Sequence, residues 1–199
     1  MFRAIVAALL VALLSACATS GLEPAPAKAA KADYRYLIGP GDQLNIVVWR
    51  NPELSGTVPV RPDGRVTLPL IEDLAAAGKN PSELSREIET RLRRYIQDPV
   101  VTVIVSGMVG SSSEQIRVVG QASKPTALPY RQSMTVLDVM IAVGGLTDYA
   151  AGNRAVLVRN AEGGKQYALR LNDLIRRGDI SANVEMLPGD IVIIPQSSF

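Results

Sequence analysis

Residues 36–49, Tyr36-Leu37-Ile38-Gly39-Pro40-Gly41-Asp42-Gln43-Leu44-Asn45-Ile46-Val47-Val48-Trp49, open the folded part of the chain. Pro40 presets φ and Gly41 tolerates φ > 0, so Gly39-Pro40-Gly41-Asp42 is a tight turn. Leu44, Ile46 and Val48 then alternate with Gln43, Asn45 and Val47, the period of a strand with one buried face. Asn51-Pro52 breaks the pattern. Thr57-Val58-Pro59-Val60 and Arg65-Val66-Thr67-Leu68 read as two further strands, joined through Pro62-Asp63-Gly64, whose Asp-Gly step is a strong hairpin signal.

A helix follows. Asn80 is a good N-cap, Pro81 suits the first helical position, and Glu83 completes a capping-box pattern. Leu84, Ile88, Leu92 and Tyr95 share one helical face. Arg86, Glu87, Arg91 and Arg93 lie on the other, with Glu87–Arg91 and Glu89–Arg93 spaced for i,i+4 pairing. Asp98-Pro99 should end the helix. The β-branched run Val100 to Val105 is the best candidate for a central strand.

Gly107 to Ser113 is a loop and marks a domain boundary. Beyond it, strands are expected at 115–119 and 155–159. Between them lies a short helix with Val136, Leu137, Val139, Met140 and Val143, opened by Thr135 and closed by Gly144-Gly145. Gly163-Gly164-Lys165-Gln166 lacks the spaced Gly and the Ser/Thr of a phosphate loop and reads as a hairpin tip. Leu171 to Ile175 suggests another helical turn. Leu187-Pro188-Gly189-Asp190 leads into the strand Ile191-Val192-Ile193-Ile194, so the Pro-Gly-Asp turn of residues 40–42 is used a second time.

Upstream of the fold, Arg3 precedes the apolar run Ala4 to Leu14 and then Ser15-Ala16-Cys17. A charged start, a short apolar core and a small-residue exit form a secretory signal, too short for a membrane span of roughly 20 residues. Leu14-Ser15-Ala16-Cys17 resembles the bacterial lipobox. Cys17 is the single cysteine of the chain and the expected lipid-attachment site; Ala18 after it favours the outer membrane. Residues 18–33, rich in Ala, Pro and Lys, read as a disordered tether.

Removing the signal takes the formal charge from +2 to about +1, which gives no electrostatic reason to expect nucleic acid. The chain contains no histidine, so neither a His-activated nucleophile nor a His-ligated metal can be assembled. No metal or cofactor is expected. For an enzyme there remain a Ser–Lys arrangement or a carboxylate pair among Asp42, Asp63 and Asp190, but all three sit in Pro/Gly turns, where Asp commonly bonds its own backbone. Arg91, Arg93 and Arg94 can form a solvated helix face or touch an anionic polymer. Tyr36 and Trp49 can stack on sugar rings or pack in a core or interface.

The opening turn and strand, the stretch Val60-Arg61-Pro62-Asp63-Gly64-Arg65-Val66-Thr67-Leu68-Pro69-Leu70, and Gln97-Asp98-Pro99-Val100-Val101-Thr102-Val103 resemble a polysaccharide-export domain. Val118-Val119-Gly120-Gln121-Ala122 with Lys124-Pro125, Met134 to Val139, Val143-Gly144-Gly145-Leu146, and Leu187 to Pro195 resemble the β-grasp soluble-ligand-binding (SLBB) module that follows it in that family. Gln121-Ala122 and Thr126 depart from the module's common Glu-Val and Gly. The likeness is nearest to short, Wza-like export lipoproteins of exosortase (PEP-CTERM) exopolysaccharide systems. It implies an α+β chain of two small mixed domains. A signal peptide (1–16), a lipidated Cys with tether (17–33), the export domain (34–106), a linker (107–114) and the SLBB domain (115–199) follow one another.

It also implies a non-enzymatic, lipid-anchored component on the periplasmic face of the outer membrane, handling exopolysaccharide. The expected associates are further copies of the chain, an inner-membrane polysaccharide co-polymerase or kinase, and a separate outer-membrane component such as a β-barrel. The alternative is a monomeric periplasmic glycan-binding adaptor. Long family members cross the outer membrane with an added C-terminal helix, whereas only Gln196-Ser197-Ser198-Phe199 follow Pro195 here, so the chain is not expected to form the pore itself.

Overall fold

The computed structural model describes residues 21–28, 34–111 and 113–197. The signal, Cys17 and Ala18 lie outside them. The architecture is α+β, with two hydrophobic cores, one on each side of the 107–114 segment.

In the first domain β1 (Gln43–Val48) lies between β2 (Gly56–Pro59) and β5 (Val101–Gly107), antiparallel to both. β3 (Arg65–Leu68) and β4 (Ile71–Ala75) form a separate hairpin. Leu44, Ile46 and Val48 point inward as the alternation required, against α1 (Pro81–Leu92), whose Leu84, Ile88 and Leu92 are buried. Fully burying each such side chain contributes roughly 1.5–3 kcal/mol. The capping box of α1 is complete: Asn80 Oδ1 accepts from Glu83 N–H at 3.0 Å, and Glu83 accepts from Asn80 N–H at 3.1 Å.

Four sequence expectations are corrected here. The Pro62-Asp63-Gly64 turn forms, with Gly64 N–H donating to Arg61 C=O at 2.8 Å, but the strands either side enter different sheets, because β3 pairs with β4. Residues 101–107 form an edge strand, and β1 is the central one. Only one face of β5 is covered; Ile104 on the other is 48% exposed. The helix ends at Leu92, not at Asp98, which leaves Tyr95 in the following turn and 57% exposed. Glu89 does not pair with Arg93: its buried carboxylate accepts from Val101 N–H at 3.0 Å and meets Arg86 at 3.4 Å, fastening α1 to β5.

The second domain is a five-stranded sheet in the order β7 (Ala127–Leu128), β6 (Ile116–Gly120), β10 (Ile191–Ile194), β8 (Ala155–Arg159), β9 (Lys165–Leu169). β10 is parallel to β6, and the other pairs are antiparallel. α2 (Val136–Ala142) packs Val136, Val139 and Met140 into the core, with α3 (Leu171–Arg177) supplying Leu171 and Leu174. Gly145 N–H donates to Met140 C=O at 2.8 Å, closing α2 as expected. The Gly163-Gly164 step is the tip of the β8–β9 hairpin, Gly164 N–H donating to Arg159 C=O at 3.0 Å.

Part of the expected tether is ordered. Pro24 bridges Ala168 in parallel: Ala168 N–H donates to Glu23 C=O at 2.8 Å, and Ala25 N–H to Ala168 C=O at 3.2 Å. Glu185 N–H reaches Ala27 C=O at 3.1 Å, and Lys165 pairs with Glu23 at 3.2 Å. β9 is a sheet edge with unpaired backbone groups, and a proline-containing segment can add at an edge although it cannot enter a sheet's interior. No helix among the described residues is long and apolar enough to cross a membrane.

The join between β6 and β10 admits one sharp test. Gly120 has φ 91°, and a Cβ there would lie 2.1 Å from the Ile194 carbonyl oxygen, which already accepts from Gln121 N–H at 2.9 Å. Gly120→Ala should cost about 3 kcal/mol or more, read as a lowered urea midpoint of the second domain.

Candidate functional site

The two Pro-Gly-Asp turns share one design. Asp42 Oδ2 accepts from Gly39 N–H, three residues back, at 2.8 Å; Asp190 Oδ2 accepts from Leu187 N–H, also three back, at 2.8 Å. Both side chains are fully buried. Asp63 accepts from Arg65 N–H at 3.1 Å in the third turn, and the Arg61 guanidinium bonded to it holds its carboxyl below the usual range. Each acidic residue that might have served catalysis is therefore engaged by its own turn. Among the described residues no group of three or more His, Cys, Asp and Glu side chains stands together as a metal site.

The surroundings of the two buried carboxylates differ. Asp42 also accepts from Tyr36 O–H at 2.6 Å and, through Oδ1, from Val109 N–H at 2.7 Å and Gly110 N–H at 2.9 Å. It thus ties the first turn to the segment between the domains, which is pinned and not a free linker at this point. Gly39 belongs to the same clamp, since a Cβ there would lie 2.2 Å from the Gly110 carbonyl carbon. Burial, then the Asp42 carboxylate, push the Tyr36 hydroxyl above its ordinary range. Asp190 has only a partial partner: Arg159, 1% exposed, lies with Nε at 3.5 Å and donates through Nη2 to Glu185 C=O at 2.7 Å. Burial pushes the Asp190 carboxyl up to about 6, against the opposing pull of the Leu187 N–H and the Arg159 charge.

The four side chains read as polymer or interface contacts fall in three places. Tyr36 is absorbed into the Asp42 clamp. Trp49 stands 65% exposed at the end of β1, where its N–H donates to Val100 C=O at 2.9 Å. On the outer sheet face Trp49 lies beside Val100, Val47 opposite Thr102 and Ile104 opposite Asn45, so four exposed apolar side chains share this face with two polar ones.

Arg91 and Arg94 come together, lining a hollow of about 430 Å3 with Leu70, Glu72 and Tyr95. An adjoining hollow of about 460 Å3 shares Leu70, Glu72 and Tyr95. Leu70, Glu72 and Tyr95 were missed as site residues. Leu70 sits at φ 65°, an unusual conformation for a leucine, and is 51% exposed. Its one sequence signal is the Pro69-Leu70 step, which interrupts an otherwise apolar run.

Comparison with known proteins agrees with this organisation. Residues 30–106 match the family model described as polysaccharide biosynthesis/export protein, and residues 114–194 match that of the SLBB domain. The chain is 30% identical over 186 residues to the EPS I polysaccharide export outer membrane protein EpsA of Ralstonia nicotianae, covering 81% of this chain and 47% of that protein. It is 30% identical to the exopolysaccharide production protein ExoF of Rhizobium meliloti, covering 87% and 42%. With the capsule polysaccharide export protein BexD of Haemophilus influenzae the identity is 27%, covering 80% and 43%. The chain thus spans a little under half the length of these relatives.

Proposed function

Since the chain belongs to the polysaccharide biosynthesis/export family and carries its export and SLBB domains in series, we propose that it is a lipid-anchored component of an exopolysaccharide export machine. It acts on the periplasmic face of the outer membrane and forms or scaffolds the conduit that passes polymer outward. The observation that carries this reading is the ordered pair of domains, with the buried Asp42 tying the first of them to the connecting segment. The names of the relatives support it, two of the three being called export proteins. The role is mechanical: the acidic residues best placed for hydrolysis are engaged by their turns. An inner-membrane co-polymerase or kinase would deliver polymer, and a separate outer-membrane component would receive it. The test is a clean deletion with complementation. Secreted polymer should disappear and return with the wild-type chain; undiminished secretion in the deletion strain overturns the reading.

The exposed apolar side chains Val47, Trp49, Val100 and Ile104 on one sheet face support self-association, since exposed apolar patches mark interaction sites and closed homo-oligomers bury them between copies. Trp49→Glu should convert an oligomer into a monomer with little loss of fold stability, read by light scattering and native mass spectrometry in detergent. A wild-type chain that is already monomeric at micromolar concentration would instead favour a glycan-binding adaptor.

A further inference from the structure

We infer that the paired hollow between the β3–β4 turn and the end of α1 is a binding site for an acidic sugar segment of the exported polymer, carrying carboxylate or phosphate. The inference rests on the export reading and names the polymer chemistry it would handle. Arg91 and Arg94 lie three residues apart at the end of α1 and line the same hollow. Arg94 makes no ion pair among those found in the described residues, and Arg91 shares its charge only with Glu87, at 3.3 Å. Planar guanidinium groups match carboxylate and phosphate in a bidentate way.

Tyr95 belongs to both hollows and is 57% exposed, an aromatic surface on which the apolar face of a pyranose can rest. Glu72 lines both hollows; its carboxylate would accept hydrogen bonds from ring hydroxyls and keep the ligand's own anionic group toward Arg91 and Arg94, which line the first hollow. Leu70, which lines both hollows, holds a left-handed conformation, and strained backbone of this kind gathers at ligand sites. Each volume falls within the roughly 300–1,000 Å3 of small-molecule sites. Of the aliphatic lining only Leu70 is well exposed, Leu68 and Ile71 being buried, so the accessible surface is one leucine and one aromatic ring beside Thr67 and three charged side chains, which suits a polyhydroxylated anion better than an apolar peptide helix.

The probe is a hexamer of galacturonic acid, with neutral maltohexaose and an acidic peptide of equal charge as comparators. Binding to the full chain in detergent is followed by calorimetry at two salt concentrations. The expected result is that the galacturonate hexamer binds and maltohexaose binds at least 10-fold more weakly. Affinity should fall at least 10-fold in Arg94→Gln and in Tyr95→Ala, and decline with salt. Both side chains are exposed, so melting temperatures should stay within a few degrees of wild type. Equal binding of both sugars, unchanged binding in both variants, or preference for the peptide overturns the site. If deletion abolishes secretion while the variants alter neither binding nor secretion, only the groove is lost. If deletion leaves secretion intact, the export reading fails whatever the groove binds.

Discussion

Asp42→Ala should lower the unfolding free energy of the first domain by about 4 kcal/mol, a large share of the roughly 5–15 kcal/mol of an ordinary domain. The carboxylate accepts four hydrogen bonds, three of them from backbone N–H groups of Gly39, Val109 and Gly110. An alanine leaves those donors unpaired in a fully buried site, at about 1–3 kcal/mol each before relaxation and water entry. Asparagine should rescue little, because its amide nitrogen would face donors where the second oxygen stood. Asp63→Ala, at an exposed turn, is the control and should cost under about 1 kcal/mol. The measurement is urea unfolding followed by two probes, one in each domain. An Asp42→Ala midpoint within error of the Asp63→Ala midpoint would refute the clamp.

The second large effect is functional. Cys17→Ser should abolish acylation, move the chain from the outer-membrane fraction to the soluble periplasm and stop polymer secretion. Each buried methylene contributes about 0.8 kcal/mol, so several acyl chains hold a protein at a bilayer where one holds it only marginally. Incorporation of a clickable palmitate analogue, fractionation and a secreted-polymer assay report the three steps separately. A Cys17→Ser chain that still fractionates with outer membranes and supports secretion would remove the anchor from the proposal.

The features legible in the sequence were those set by a few neighbouring residues. Asn80-Pro81 with Glu83, Thr135 as the opening of the short helix, Gly144-Gly145 and both Pro-Gly-Asp turns close hydrogen bonds within three to five residues, and all form as read; that Asp138 completes a capping box with Thr135 is added by the structure. What was not legible depends on distant partners. Val100 to Val105 has the composition of a strand covered on both sides, yet nothing local decides which strand lies at the edge. β4 escaped notice because Glu72 and Asp73 are both exposed and Asp73 takes φ 48°, which breaks the alternation. Tyr95 continued the helical spacing, but the helix had already ended at Leu92. The hollow was therefore half visible: its two arginines could be read, while its aromatic and its leucine could not.

The short ladder between Glu23–Ala25 and β9 sets a mooring length. If Cys17 carries the lipid, five residues lie between it and Glu23, the first docked carbonyl, a span of six steps, and extended chain covers at most about 3.3–3.6 Å per step. Whatever path those residues take, the β9 edge of the second domain stays within about 20 Å of the headgroups. Such an anchor would therefore limit how far the second domain can stand from the membrane, as well as set its compartment. With such an anchor, the SLBB domain would be moored near the membrane through its β9 edge, where Glu23–Ala25 docks.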